Sequence, residues 1–283
     1  MEDALREKPK GGCIQMISAG VLGSPISHSL SPLLHNTMYK FLGIEASYKA
    51  YEVASGQLKE FLDNEGSSLN CLSLTMPLKE EALTIANLVS DVSRQIQSGN
   101  TLHKIDGSWS LTSTDVEGFT YALKFNNRDA KGNVLILGAG ATARAVVAAC
   151  KGVSDTVTVV NRNPDRVQAI RDAAPHVELD FISWGTDINF NAFDLVINTT
   201  PGETGARFVE QIGSVDTTFF EVLYNPWPTQ LLAHWRQSGG FAIDGLDLLI
   251  HQAISQVEIF ASRTIDRDLL SKMLRAAGER VLS

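Results

Sequence analysis

Short, almost wholly apolar runs alternate along the chain with longer stretches in which apolar residues recur every three or four positions. That switching of period predicts strands joined by amphipathic helices, the pattern of an α/β protein with largely parallel sheets. In the first half, residues 19–23, 47–53 and 69–75 read as strands, and 32–42, 57–63 and 78–89 as the helices between them. Residues 100–105 and 108–114 flank Asp106-Gly107, a dipeptide strongly favoured in tight hairpins. A helical pattern over 116–124 follows. The second half opens on Asn133-Val134-Leu135-Ile136-Leu137, apolar after its first residue, as expected of a strand covered on both faces. Residues 144–150 read as a helix, 156–160, 194–199 and 218–224 as further strands, and 246–262 and 267–281 as two closing helices. Such a pair is long enough to return and pack on the first domain.

A length of 283 residues suits two domains, with the polar stretch 126–132 or the helix before it as the boundary. Hydrophobic residues make up 44% and charged residues 20%, which is ordinary for a soluble globular chain. The net charge of −8 argues against nucleic acid and anionic membranes as partners, because both reward basic patches. Cys13, Cys71 and Cys150 are scattered without disulfide or zinc spacing, so a reducing cytoplasm is expected. The first twelve residues, MEDALREKPKGG, lack an apolar core and read as a polar tail, not a signal peptide. No apolar run approaches the roughly 20 residues of a membrane span. His28 and His35 stand in no recognisable metal-ligand pattern, and no metal is expected.

Two constellations carry chemistry. Gly138-Ala139-Gly140-Ala141-Thr142-Ala143 lies between a buried strand and a helix, which is the dinucleotide fingerprint with alanine in the third place. Its first glycine permits the tight turn and its second lets the backbone approach a pyrophosphate at the helix start. The next strand ends near Val160, about 20 residues on, as that unit requires. An NAD site would place a carboxylate there for the ribose hydroxyl. Here the residues are Asn161-Arg162-Asn163-Pro164-Asp165-Arg166. Guanidinium groups suit a 2′-phosphate, which favours NADP. The plainer reading makes both arginines solvated surface residues.

The second constellation is Ser73-Leu74-Thr75-Met76-Pro77-Leu78-Lys79 with Asp115. Lysine at a helix start opposes the macrodipole, so Lys79 is misplaced unless it meets an anion or does chemistry. Asp115 sits at another strand-to-helix transition and is its natural partner, although it could be a simple N-cap and Lys79 a surface residue. A carboxylate–ammonium pair suits hydride transfer at a secondary alcohol, one group taking the hydroxyl proton and the other stabilising oxyanion charge.

These stretches, with "GSPISHSLSPLLHN", "LTMPLKEEA", "SGNTLHKIDG", "STDVEGF", "LGAGATARA", "VVNRNPDR", "INTTPGE", "YNPWPT" and "GLDLLIHQAISQ", resemble the shikimate dehydrogenase family in order and spacing. The resemblance spans nearly the whole chain. It implies an N-terminal open α/β substrate domain beside a C-terminal Rossmann-like NADP-binding domain, with a cleft between them. The boundaries would be a disordered tail over 1–17, a substrate domain over 18–115 plus 246–283, and a cofactor domain over 116–245. The implied reaction interconverts 3-dehydroshikimate, a small-molecule substrate, and shikimate in a monomer or homodimer.

By position, the resemblance makes Lys79 and Asp115 the catalytic pair and Ser29 and Ser31 the ligands of the substrate carboxylate. It adds Thr75, Asn100, Tyr224 and Gln252 as substrate contacts. Gly138, Ala139, Gly140, Ala141, Thr142, Asn161, Arg162, Asn163, Arg166, Thr199, Thr200, Val222 and Gly245 become the cofactor wall, with Asp91 nearby. Ser31-Pro32 also reads as an N-cap followed by a helix-starting proline. If residues 29–31 are extended, both serine hydroxyls face one side. Five positions depart from the common pattern: Ser73 and Ser113 for asparagine, Gly99 for valine, and Val116 and Ala141 for glycine. Two alternatives stay open, a quinate/shikimate dehydrogenase of the same superfamily and a regulatory module that senses NADP without turnover.

Overall fold

Two six-stranded sheets carry the protein, described here from a computed structural model that covers residues 16–282. The first unit runs β1 (Ile17–Gly23), α1 (Ser31–Leu42), β2 (Ala46–Glu52), α2 (Leu58–Asp63), β3 (Cys71–Leu74), α3 (Leu78–Ile85), β4 (Leu88–Val89), α4 (Asp91–Ile96), β5 (Thr101–Ile105) and β6 (Ser108–Thr112). The second runs α5 (Asp115–Phe125), β7 (Gly132–Leu137), α6 (Ala141–Ala149), β8 (Ser154–Asn161), α7 (Val167–Ala173), β9 (Leu179–Ser183), β10 (Leu195–Asn198), β11 (Thr218–Glu221), α8 (Gln230–Gln237) and β12 (Ala242–Ile243). Two long helices, α9 (Gly245–Ala261) and α10 (Arg267–Leu282), complete the chain.

The first sheet has the order β2-β1-β3-β5-β6-β4. β5 runs antiparallel to both of its neighbours, and the other pairings are parallel. The hairpin turn falls at Asp106 (φ 49°) and Gly107 (φ 80°), left-handed conformations that suit Asp-Gly. The second sheet is wholly parallel, ordered β12-β11-β10-β7-β8-β9. The order in which strands are added reverses between β7 and β10, and a ligand crevice forms at the carboxyl ends of strands at such a switch point. Val134, Leu135, Ile136 and Leu137 are all fully buried, so residues from both faces of β7 enter packed cores.

α9 joins the two units. Leu246, Ile250, Ala253, Ile254 and Val257 enter the core beneath the first sheet, together with Leu270 and Leu274 of α10. Leu248, on another face of α9, enters the core of the second sheet, as do Phe119, Ala122 and Leu123 of α5. α5 and α9 cross closely at Gly118, where an added Cβ would lie 2.6 Å from Gln252 Cγ.

Three expectations need correction. The helix expected over 78–89 stops at Ile85, and Leu88–Val89 forms a strand beside β6. Ala86 turns extended (ψ 135°), and Asn87 then bonds Trp109 twice, its N–H to the Trp109 carbonyl (2.9 Å) and its Oδ1 from the Trp109 N–H (3.2 Å). Edge pairing therefore overrides helix propensity. Ser31 is the first residue of α1, not its N-cap; Leu30 occupies that position in a helical conformation, and Ser29 Oγ accepts the Ser31 N–H at 3.3 Å. Residues 29–31 are consequently not extended. Of the tail expected over 1–17, residues 1–15 lie outside the described residues, and Ile17 already belongs to β1.

Two buried histidines give the fold a defined acid limit. Burial pushes His35 down to about 3 and His251 down to about 4. Neither His251 ring nitrogen has a hydrogen-bond partner among the described residues, and its ring lies between Tyr121 and Phe125. A depressed folded-state value means the stability is complete above pH ~6.5 and is lost as pH falls through the folded value, a contribution of about 3 kcal/mol for His251 by pH ~4. His251→Phe should match or exceed wild-type stability at pH ~7, because an unpartnered polar ring is costly to bury. Its melting temperature should also fall less between pH ~6.5 and ~4. Circular dichroism melts across that range check this; parallel curves would assign the acid limb elsewhere.

Candidate active site

The Lys79 ammonium and the Asp115 carboxylate meet where α3 and α5 begin, with Nζ 2.8 Å from Oδ2 and 3.1 Å from Oδ1. β3 ends at Leu74, and the Thr75 carbonyl accepts the Leu78 N–H (2.9 Å), turning the chain into α3 with Lys79 in its first turn. Asp115 opens α5, its N–H bonded to Ser113 Oγ at 3.3 Å. The Asp115 side chain is 1% exposed and that of Lys79 16%.

Two amides complete the carboxylate's shell. Asn100 Nδ2 donates to Asp115 Oδ1 (3.0 Å), while Asn100 Oδ1 accepts the Thr114 N–H (2.8 Å) and the Thr101 hydroxyl (2.7 Å). Gln252 Nε2, from α9, donates to the same Oδ1 at 2.5 Å. Oδ1 thus receives three side-chain donors and Oδ2 only Lys79. Since an ammonium has three N–H groups and a carboxylate oxygen about two acceptor directions, the pair retains one donor on Nζ and one acceptor on Oδ2. That is the complement of a hydroxyl, or of a carbonyl becoming one.

Behind the pair lies a buried polar chain. Tyr48 donates its hydroxyl to Ser73 Oγ (2.5 Å), which donates to Gln256 Oε1 (2.7 Å). His35 Nε2 reaches the same Oε1 at 3.2 Å, and the His35 ring stacks on Tyr48 with centroids 3.9 Å apart. Gln256 Nε2 donates to the Asn100 carbonyl and to Thr101 Oγ1, both at 3.1 Å. This chain connects to Asn100 and so to Asp115. Sequence reasoning missed it, although Gln252 and Gln256, one turn apart on an otherwise apolar helix, were its signal.

Ser29 and Ser31 each lie against a tyrosine. Burial raises the Tyr224 phenol, and Ser29 and the Leu30 backbone lie beside it. Burial raises the Tyr48 phenol well above its ordinary value, with Ser73 and Ser31 beside it and Tyr39 and Tyr224 nearby. Ser29 and Ser31 thus each lie near a tyrosine, and the helical Leu30 between them breaks the extended alternation. Beside Ser29 a cavity of about 360 Å³ is lined also by Ser27, His28, Leu30, Asn225 and Trp227.

At the switch point, Gly138 (φ +105°) turns the chain off β7, and a Cβ there would lie 2.8 Å from Thr199 Oγ1. Gly140 caps α6, and a Cβ on it would meet nothing within 4 Å, leaving the helix start open. Ala139 packs into the core, and Ala141 and Thr142 form the first turn of α6. Thr199 N–H and Oγ1 both bond the Leu137 carbonyl (2.9 Å), and Thr200 is held by Asn198 Oδ1. The Val222 N–H bonds the Asn198 carbonyl, and the Gly245 N–H bonds that of Leu223.

Asn161 ends β8 and bonds the Asn163 carbonyl, and Asn163 Oδ1 caps the short turn over Pro164–Arg166. Arg162 and Arg166 are exposed and form no ion pair among the described residues. An open helix start and an unpaired guanidinium couple fit a phosphorylated dinucleotide. Asp91 is the exposed first residue of α4, with no hydrogen bond to the Gly138–Thr142 loop.

Several buried charges were not foreseen, Arg144 and Glu221 among them. Arg144 of α6 bonds carbonyls at the end of α4, and Glu221, at the end of β11, accepts bonds from Asn198, Leu223 and Thr229. Burial pushes the Glu221 carboxyl up to about 7. Four of the five departures from the common pattern, all but Ala141, have local accounts. Ser73 links Tyr48 to Gln256, and Ser113 Oγ accepts the Asp115 N–H. Val116 packs on Ile96 and Ala145, and a Cβ on Gly99 would lie 2.4 Å from the Leu111 side chain.

Comparison with known proteins places this geometry. The family model described as shikimate dehydrogenase substrate binding domain matches residues 21–102, and that described as shikimate / quinate 5-dehydrogenase matches residues 121–212. The chain belongs to the shikimate dehydrogenase family. It is 31% identical over 259 residues to the NADP(+) shikimate dehydrogenase of Prochlorococcus marinus (strain AS9601), covering 85% of this chain and 90% of the relative. For the Maricaulis maris (strain MCS10) protein of the same name the figures are 34% over 274 residues, with 93% and 97% covered. Among solved structures, the Mycobacterium tuberculosis shikimate dehydrogenase superposes with a TM-score of 0.82 at 32% identity, covering 92% of this chain and 99% of that one. The Thermus thermophilus shikimate 5-dehydrogenase in complex with NADP(H) and shikimate gives 0.81 at 28% identity, with 93% and 100% covered. Among the described residues, no helix of this family member is long and apolar enough to cross a membrane.

The exposed guanidinium groups generate a prediction. Arg162→Ala should raise KM for NADP+ about tenfold or more, the loss of a charge-assisted phosphate contact. KM for NAD+ should stay within about twofold. Initial-rate kinetics with both cofactors check this, and equal effects on the two would remove Arg162 from phosphate recognition.

Proposed function

We propose that this protein reduces 3-dehydroshikimate to shikimate reversibly, with NADPH as the reductant. The observation that carries this reading is the Lys79–Asp115 pair, with its one remaining donor and one remaining acceptor. α9 starts against the loop after β11 at Gly245 and presents Gln252 to Asp115 seven residues, about 10 Å, later. One helix therefore links the cofactor-side crevice to the pair. When bound at the Gly138–Thr142 loop, NADPH supplies the hydride to the ring ketone.

Lys79 donates a proton to the forming alkoxide, becomes neutral, and is reprotonated from solvent. Asp115 accepts a ring hydroxyl at Oδ2 and keeps the ammonium oriented, while Asn100 and Gln252 fix the carboxylate by occupying Oδ1. Ser29 and Ser31, with Thr75 and Tyr224, take the substrate carboxylate end. Gripping that remote group positions the ketone for transfer. Val222, Thr199, Thr200 and Gly245 form the wall against the dinucleotide, Asn161 to Arg166 take its phosphorylated ribose, and Asp91 lies at its margin. In this reading residues 18–115 with 246–283 bind substrate, and 116–245 bind cofactor. Free, buried Cys71 and Cys150, with thiols pushed up to about 12 and about 11, agree with a reducing cytoplasmic setting.

Initial rates with shikimate and with quinate, each with NADP+ and with NAD+, test the proposal. Shikimate with NADP+ should be the fastest pair; faster turnover of quinate would make the protein a quinate dehydrogenase, and no turnover with either a sensor. Lys79→Ala should lower kcat by about 10²–10⁴-fold, the range of general-acid effects, with KM for shikimate changed less than about fivefold. Near-normal kcat would exclude Lys79 as the acid.

A further inference from the structure

Arg144 is the feature of the molecule that its surroundings explain least. It lies in the first turn of α6, at the positive end of that helix, and its side chain is 5% exposed. A cation is doubly penalised there, by the macrodipole and by desolvation. Its compensation comes entirely from the other unit. Nε donates to the Ile96 carbonyl (2.6 Å), and Nη2 donates to the Gln97 carbonyl (3.0 Å) and to Glu80 Oε1 (2.6 Å). Ile96 ends α4 and Gln97 is its C-cap in a left-handed conformation (φ 48°), so the guanidinium sits on carbonyls that carry that helix's negative end.

Each acceptor stands next to the proposed chemistry. Glu80 follows Lys79 in α3. Gln97 precedes Ser98, Gly99 and Asn100; the Gly99 N–H bonds the Lys79 carbonyl (2.9 Å), and Asn100 bonds Asp115. Only a small apolar cluster, Ile96, Ala145 and Ala173 with Val116 and Ala148 against it, surrounds this crossing. A directional polar contact dominates the junction here, so a shift of α6 would reach these segments through the guanidinium. The same short helix thus carries the open anion-facing start at Gly140 and, one turn later, the side chain that grips the segments holding Lys79 and Asn100.

We propose that Arg144 is a positioning residue that couples dinucleotide seating at the start of α6 to the placement of the Lys79–Asp115 pair. The inference rests on the reaction proposed above. Dinucleotide binding fixes α6, α6 fixes the α4 end and Glu80, and these fix the two residues that flank the substrate. By linkage, substrate must change dinucleotide affinity by the same factor.

NADPH and shikimate together form no product, so their mutual effect is measurable at equilibrium. NADPH fluorescence titrations with and without saturating shikimate should show an affinity change of about fivefold or more in the wild type. In Arg144→Met the change should shrink to within about twofold, and kcat should fall about tenfold or more. NADPH affinity without shikimate should stay within about threefold. Arg144→Lys, whose single ammonium cannot match the fork, should give an intermediate change, and it carries the test if the methionine variant does not fold. A coupling equal to wild type in the lysine variant, a wild type without coupling, or loss of binary NADPH affinity as large as the loss of coupling would overturn the proposal. Wild-type turnover of shikimate with NADP+ is the control: its absence would fail the assigned reaction, whereas turnover with an unaffected Arg144 variant would fail this inference alone.

Discussion

The buried ion pair between Lys79 and Asp115 is the constraint on which the rest of the structure depends. A carboxylate with a 1% exposed side chain is tolerable only when its lone pairs are met by donors. Here the donors come from α3, from the residue just before β5, and from α9. Segments far apart in sequence must therefore arrive together, and much of the first unit's polar interior serves that meeting. The hairpin side supplies Asn100, whose side-chain Oδ1 accepts the Thr114 N–H. The Tyr48–Ser73–Gln256 chain supports the same asparagine from below.

α9 has the most demanding position, because it must match two units at once. A buried network sets its register. Asp244 caps it by accepting the Leu246 N–H, and Arg275 of α10 holds Asp244 through two bonds (2.6 and 2.7 Å) and Asp247 through a third. Asn126, at the end of α5, reaches Asp247 as well. With its start pinned, the helix delivers Gln252 and Gln256 one turn apart, onto Asp115 and onto the Asn100 support. Gly118 allows α5 to approach closely enough for the first of these contacts. Catalytic geometry and domain arrangement are thus two aspects of one packing problem.

Local pattern was sufficient where local forces decide. The alternation of runs gave the parallel second sheet, the Asp-Gly hairpin and the fingerprint loop, because each depends on periodicity or on a left-handed turn readable from one or two residue types. Lys79 was legible because a lysine at a helix start is electrostatically out of place. What escaped was decided at a distance. Leu88–Val89 reads as the end of a helix until Asn87 finds Trp109, twenty-two residues away. Ser31 reads as an N-cap until Leu30 takes the helical conformation and Ser29 accepts its amide. Arg144 has no local signature at all, since its three acceptors lie 47 to 64 residues away.

The central claim, that Lys79 and Asp115 act as one unit, is most directly tested by a double-mutant cycle on kcat with Lys79→Met, Asp115→Asn and the combined variant. Groups that share one function lose it only once. The account predicts that the double variant is no slower, within about threefold, than the slower single variant. Losses that multiply would show two independent contributions and contradict it.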